Sequence, residues 1–487
     1  MHNTKLISLL KTFTRQEAGR FREFVHSPFF NKNESVMNLA DGILQHFPDF
    51  ASDRFTEQHL FMSVFPNEEY DYFKFRNVWS DLFQLALLFM KHLSFEKNEI
   101  DIEIGLLNEL HERRLDKLFE QGRKRTGKKL ESIVVKDEEY HRLLYKFFQV
   151  LTKEIKFKGA SYTFDLIQKE FDAFLRYAVM SLLRHYSKML TNKNHGNVEF
   201  RLEMFDEVWE YVKQQDLSGN PQSLVYRQII ALELNRKEND YIVLQGMKQK
   251  YEEVLSREDK YYILTTCNSF ITSKLKEGDD KYYGDRFAVF KEMVEKGFIT
   301  ADYILFMNFI SFFTSACTVG EYDWADDFMN RFSGGISPAG EKANTINYCR
   351  GYFEYCHGRF DNAVGYFSKT RFRLFLAKVM VRSYTLRCLY ELGLNEQTIS
   401  GIESFRKYLR SESLIAEQQK DAHYEFMKHL SALTDISINK PAGRQLKGKV
   451  SALGKEIKAM QGNPLGAKKW LLQKLELLTI KSAKNSS

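Results

Sequence analysis

Two groupings come nearest to reactive chemistry in this chain: Cys356 beside His357, and the phosphate-loop-like spacing of Gly122, Gly127 and Lys128. A thiol next to an imidazole could begin a metal site or an activated nucleophile. Metal binding, however, takes three or four converging ligands, and no spaced Cys or His partner accompanies this pair. The five cysteines, Cys267, Cys317, Cys349, Cys356 and Cys388, contain no C-x-x-C pair and all fall in helical stretches of the second half. They read as buried thiols in a reducing compartment. The loop-like spacing fails at its last position, where Lys129 follows Lys128. A second copy, Gly443, Gly448 and Lys449, is followed by Val450, so neither supplies the hydroxyl that would hold magnesium. The acidic pairs Asp279-Asp280 and Asp326-Asp327 fall at turns or early in helices, where carboxylates favour the helix start. The twelve histidines are scattered, with neither H-E-x-x-H nor G-x-S-x-G. Spacing therefore assembles no catalytic residues, cofactor site or metal site, and the chain reads as non-enzymatic.

Charge offers a different chemistry. Residues 437–487 carry eleven Lys and Arg against Glu456 and Glu476, a net +9 in a chain whose total is +7, so the remainder is −2. A second basic run, Arg113, Arg114, Lys117, Arg123, Lys124, Arg125, Lys128 and Lys129, is interleaved with Asp116 and Glu120. Segments 113–129 and 437–487 could each track a phosphate backbone, which makes nucleic acid the alternative partner. The interleaved acids favour a solvated helix face for the first, and a soluble cap for the second.

The elements that would position any site are helices. Only 7 Pro and 26 Gly interrupt 487 residues, and 44% of the residues are hydrophobic, as in a folded protein. Near the start, Thr14 and Glu17 form a capping box, and Phe21, Phe24 and Val25 follow on one face. Residues 1–95 read as a helical bundle, with Leu10, Phe21 and Trp79 in one core, and residues 96–197 as irregular hairpins ending in a polar joint at 191–197. Paired helices are expected over 198–214 and 222–235, 239–255 and 258–276, 281–296 and 300–319, 322–333 and 342–357, 360–372 and 374–391, and 395–410 and 414–435. In residues 437–487, Trp470, Leu471, Leu475 and Leu478 are expected to cover Ile415, Met427 and Leu430. The uncharged stretch 303–320 contains Asn308, Ser311, Thr314, Ser315 and Thr318, and reads as a buried helix rather than a membrane span. Lys11, Arg15 and Glu17 argue against a secretory leader, so the expected location is cytoplasmic.

The strongest regularity is a repeat. Gly320, Glu321, Tyr322, Asp323 and Ala325 return as Gly358, Arg359, Phe360, Asp361 and Ala363. Gly would take a positive φ after one helix, the aromatic would seat the turn, Asp would cap the next helix, and Ala would allow close contact. The turn glycines Gly320, Gly358 and Gly393 are 38 and 35 residues apart. This resembles the tetratricopeptide unit of about 34 residues. Gly351, Gly358, Phe360, Ala363 and Phe367 match its small, turn and packing positions, whereas Asn347, Thr370 and Thr398 depart from it. The opening run Ser27-Pro28-Phe29-Phe30-Asn31-Lys32 is similar to that of uncharacterised helical-repeat proteins of Bacteroidota, a family that implies no activity. The expected fold is all-α, an elongated α-solenoid of tetratricopeptide-like hairpins over 198–436. It would carry an N-terminal bundle and a basic C-terminal cap.

In tetratricopeptide-like hairpins the first helix lines a concave face. The resemblance then selects Tyr348, Tyr352 and Tyr355 as partner-binding residues, with Thr314 one repeat before and Arg387 and Tyr390 one repeat after. Spacing at i, i+4 and i+7 places the three tyrosines on one helical face. Tyr and Arg are common interface anchors, so the expected function is a scaffold that binds a protein or peptide. The competing expectation is that the stripe packs against the next repeat as core.

Overall fold

A computed structural model describes residues 4–51, 53–154, 160–196, 199–215, 217, 220–412, 417–439, 441 and 443–484. The fold is all-helical. Contacts divide the chain into Met1–Tyr177 and Ala178–Ser487. No described helix is long and apolar enough to cross a membrane.

In the first unit, α1 (Lys5–Leu10), α2 (Arg15–His26), α3 (Glu34–Leu44), α4 (Glu57–Val64) and α5 (Tyr72–Glu96) share one apolar cluster. Leu10 and Phe21 are buried in it, and Trp79 packs against it. The capping box starts α2: Thr14 Oγ1 accepts from the Glu17 amide at 3.1 Å, and the Thr14 amide donates to Glu17 Oε2 at 2.8 Å. A second cluster joins α6 (Glu99–Glu112), α7 (Asp116–Glu131) and α8 (Glu138–Glu154) through Leu107, Phe119 and Phe147. Here the loop-like Gly122 lies inside α7, where a Cβ would come 2.8 Å from Leu107 Cδ2, so this glycine serves a helix crossing. Four of the eight cations of the basic run 113–129 are paired: Arg113 with Glu109, Arg123 with Glu120, Arg125 with Glu103, and Lys129 with Glu99 and Glu103.

Of the polar joint expected at 191–197, residues 191–196 are instead helix, and 197 lies outside the described residues. α9 (Ala160–Gly196) continues through it, since no Gly or Pro interrupts before Gly196, and buried Thr191 meets Thr266 at 3.4 Å. The second unit then runs through α10 (Phe205–Gln214), α11 (Pro221–Asn235), α12 (Glu238–Lys250), α13 (Arg257–Glu277), α14 (Tyr282–Glu295), α15 (Phe306–Val319), α16 (Tyr322–Phe332), α17 (Lys342–Cys356), α18 (Phe360–Ser368), α19 (Phe375–Glu391), α20 (Asn395–Ser411), α21 (Glu417–Asn439), α22 (Gly443–Ala459) and α23 (Ala467–Lys484). Two stretches expected as helix are not. Met204 takes a φ of 57° just before α10, and β1 (Ile304–Leu305) pairs in parallel with β2 (Ile336–Ser337) ahead of α15.

The turn chemistry is observed in part. Gly320, Gly358 and Gly393 have φ of 88°, 73° and 71°, the left-handed region that ends a helix without steric cost only at glycine. Ala325 and Ala363 are fully buried. The aspartates do not cap: the caps of α16 and α18 are Glu321 and Arg359, which make no side-chain cap bond, while Asp323 and Asp361 sit in the first turn, where their charge faces the positive helix end. In the best repeat, a Cβ at Gly351 would lie 2.7 Å from the Phe367 ring, so only glycine lets that ring close α17 onto α18. Burying Phe367 contributes about 2 kcal/mol to that contact.

Candidate functional site

The face selected from sequence is built by α15, α17 and α19. Helix α17 is fixed at its start by Glu341, whose buried carboxylate accepts from Asn344 Nδ2 at 3.0 Å and from the Arg373 amide at 3.2 Å. Asn344 also donates to the Arg371 carbonyl at 2.9 Å and accepts the Arg371 amide at 2.8 Å. The segment leading into α19 is thereby tied to α17, which sets the register between Tyr348–Tyr355 and Arg387.

These residues do come together, with unequal access to solvent. Tyr348 is 0% exposed, Arg387 3% and Tyr352 7%, while Thr314, Tyr355 and Tyr390 are half-buried. Tyr384 is the centre of the group, its ring 5.0 Å from Tyr352, 5.1 Å from Tyr355 and 6.4 Å from Tyr348. Thr318 gives its proton to the Thr314 carbonyl at 2.6 Å, so in its 2.8 Å contact with Tyr352 the phenol is the donor. Thr314 in turn donates to the Ile310 carbonyl at 2.7 Å, a bond within its own helix. Burial pushes the phenols of Tyr348, Tyr352 and Tyr384 above their ordinary range and that of Tyr283 up to about 12.

Arg387 grips the chain's own C-terminal segment. Its Nη2 donates to the carbonyls of Pro464 at 3.2 Å and Leu465 at 2.9 Å. Its guanidinium lies 4.8 Å from the Tyr384 ring, 5.5 Å from Phe426 and 5.6 Å from Trp470. The segment is secured on both sides: Asn463 Nδ2 donates to the Leu275 carbonyl at 3.2 Å, and Trp470 Nε1 to Glu391 at 2.9 Å. Leu465 and Gly466 have φ of 53° and 69°, and a Cβ at Gly466 would come 2.8 Å from the Tyr283 hydroxyl. Tyr390 packs on Trp470 at 5.6 Å and lies 3.4 Å from Ser437.

Sequence reasoning missed Tyr384, Arg286, Tyr283 and the strap 463–466. Tyr384 was legible, because it stands one turn before Arg387 on the stripe 384, 387, 390. The strap carries no periodic signal.

Little here favours catalysis. Burial raises the thiols of Cys317 and Cys349, and that of Cys356 to about 12, which keeps them protonated and poorly nucleophilic near neutrality. The His357 ring lies tilted against Tyr322 at 4.1 Å, and its Nδ1 bonds the Phe353 carbonyl at 2.9 Å, so beside Cys356 it acts as a helix-end cap. Among the described residues no group of His, Cys, Asp and Glu is placed to hold a metal. In this structure the face holds the chain's own segment 463–466 beside an aromatic cluster. Comparison with protein-family models, curated proteins and solved structures found no match.

Proposed function

We propose that residues 198–436 form a tetratricopeptide-like solenoid, capped by 437–487, that acts as a non-enzymatic, cytoplasmic scaffold and binds an extended protein or peptide segment along α15, α17 and α19. The observation that carries this is the grip of Arg387 on two successive backbone carbonyls, with Tyr384, Phe426 and Trp470 around the guanidinium. Main-chain carbonyls held by a fixed fork of donors are a way to recognise extended chain with little demand on its sequence. The tail already occupies part of the face, so an external segment would meet its half-buried rim, at Thr314, Tyr355 and Tyr390. Isolation of the tagged full-length chain should yield a stoichiometric protein partner, weakened by Tyr355→Ala and Tyr390→Ala. A partner held equally well by both variants would remove the site assignment; loss of all stoichiometric protein would sink the scaffold reading.

The nucleic-acid alternative is favoured by one observation. Lys447, Lys449, Lys455 and Lys458 are all exposed on α22, whose lone acid, Glu456, is taken by Lys428 at 3.0 Å. Segment 113–129 supports it less, since half of its eight cations are paired. Retention on a nucleic-acid column that falls steeply with salt would choose this reading.

A further inference from the structure

Two arginines inside residues 178–487 have no acid to answer them. Among the described residues, neither Arg286 on α14 nor Arg387 on α19 forms an ion pair; Arg387 bonds the strap carbonyls and interacts with Tyr355, and Arg286 contacts the Phe290 ring at 5.4 Å. The Nε of each is enclosed without a hydrogen-bond partner. So are the Tyr348 hydroxyl, on a side chain 0% exposed, and the Ser383 hydroxyl. The strap links the two: Arg387 holds its carbonyls, and at Gly466 it comes against the hydroxyl of Tyr283, which stands one turn before Arg286 on α14. Ring contacts tie Tyr348, Tyr352 and Tyr384 to that same place.

Arg387 is buried and Arg286 half-buried with its Nε enclosed; a cation so placed without a counter-charge is costly, and a second near it adds repulsion. Burial accordingly lowers the Arg286 pKa. The unpartnered groups are all donors to an anion, two guanidinium N–H groups and two hydroxyls, and the carboxylates nearest them are already engaged, Asp280 with Lys469 and Glu391 with Lys474 and Trp470. Guanidinium forks match the oxygens of a phosphate in spacing and plane, and hydroxyls complete a tetrahedral shell. We propose that Arg286, Arg387, Tyr348 and Ser383 form an internal site for a phosphate-type oxyanion, closed on one side by the strap Pro464–Gly466. The strap uses only Nη2 of Arg387, leaving Nε for the anion. This inference does not rest on the polypeptide-binding reading.

The test uses the full-length chain, inorganic phosphate and glycerol phosphate, at ionic strength matched with chloride. Equilibrium dialysis should find one saturable site, and the melting temperature should rise with ligand along the same curve. Tighter binding of inorganic phosphate would identify the free ion as the ligand; tighter binding of the ester would identify a small phosphomonoester. Arg286→Gln should weaken binding by about tenfold or more, the loss of one charge-assisted partner, and Arg286→Lys should weaken it less. Because Arg387 also holds the strap, Ser383→Ala serves as the second variant and should weaken binding with the fold intact. No saturable binding of either compound, or binding unchanged in both Arg286→Gln and Ser383→Ala, would overturn the assignment.

Discussion

At the scale of single residues, Tyr352 and Tyr355 are three positions apart on α17 yet carry different loads. Tyr352 is 7% exposed and donates to Thr318, so Tyr352→Ala removes a buried ring and should cost about 3 kcal/mol or more of stability in a urea titration. Tyr352→Phe keeps the ring and should cost about 1 kcal/mol. Equal midpoints for Tyr352→Ala and the parent chain would show that the ring is not core. His141 makes the pH prediction. It is 3% exposed, and burial first, then the charges of Arg176 and Lys136, lowers its pKa to about 4 from 6.5. Its folded pKa lies below its unfolded one, so the unfolded chain binds the extra proton between them. The stabilisation is complete above about pH 6.5 and is lost as pH falls toward about 4, by up to about 3 kcal/mol. His141→Asn should flatten that part of the stability profile; an unchanged slope would assign the acid sensitivity elsewhere.

Elements were more legible than their contents, and two glycines separate what the repeat pattern shows from what packing decides. Gly351 meets the Phe367 ring, so Gly351→Ala should overpack the α17 and α18 contact and cost about 1–3 kcal/mol. Gly365, exposed within α18, has nothing within 4 Å of a Cβ, so Gly365→Ala should stabilise by about 1 kcal/mol through helix propensity. Calorimetric melting of the pair should therefore move in opposite directions, and a shift of the same sign in both would undo the argument. The sequence shows both as glycines in a repeat. It shows Gly320, Gly358 and Gly393 more fully, because helix termination is a local demand on φ. The mistaken caps at Asp323 and Asp361 have an equally local cause: the first turn favours acids as the cap position does, and spacing alone does not separate the two.

For the molecule as a whole, helical hairpins were readable because each closes within about 35 residues, whereas the tail bonds Leu275 from 188 positions away and leaves no periodic trace. The candidate face was readable in the same measure: Tyr348, Tyr352, Tyr355 and Arg387 were found through the repeat, and the strap they meet was not. That return of the chain gives the last prediction. Trp470, Leu471 and Leu475 share one apolar cluster with Phe426, Met427 and Leu430, as expected of a cap, although Ile415 lies outside the described residues. Ending the chain before Ser437 would uncover that cluster and also strip Arg387 of both its carbonyl partners. A terminal repeat without a polar cover tends to associate, so the truncated chain should melt earlier and elute as larger species with light scattering, while its helical circular dichroism largely persists. Trp470→Ala, which keeps the basic residues, should reproduce part of the loss at about 3 kcal/mol or more. If the tail were instead a free arm for nucleic acid, the truncated chain would stay monodisperse with its melting temperature unchanged and lose only salt-sensitive affinity for DNA or RNA, and the capping role would fall with that result.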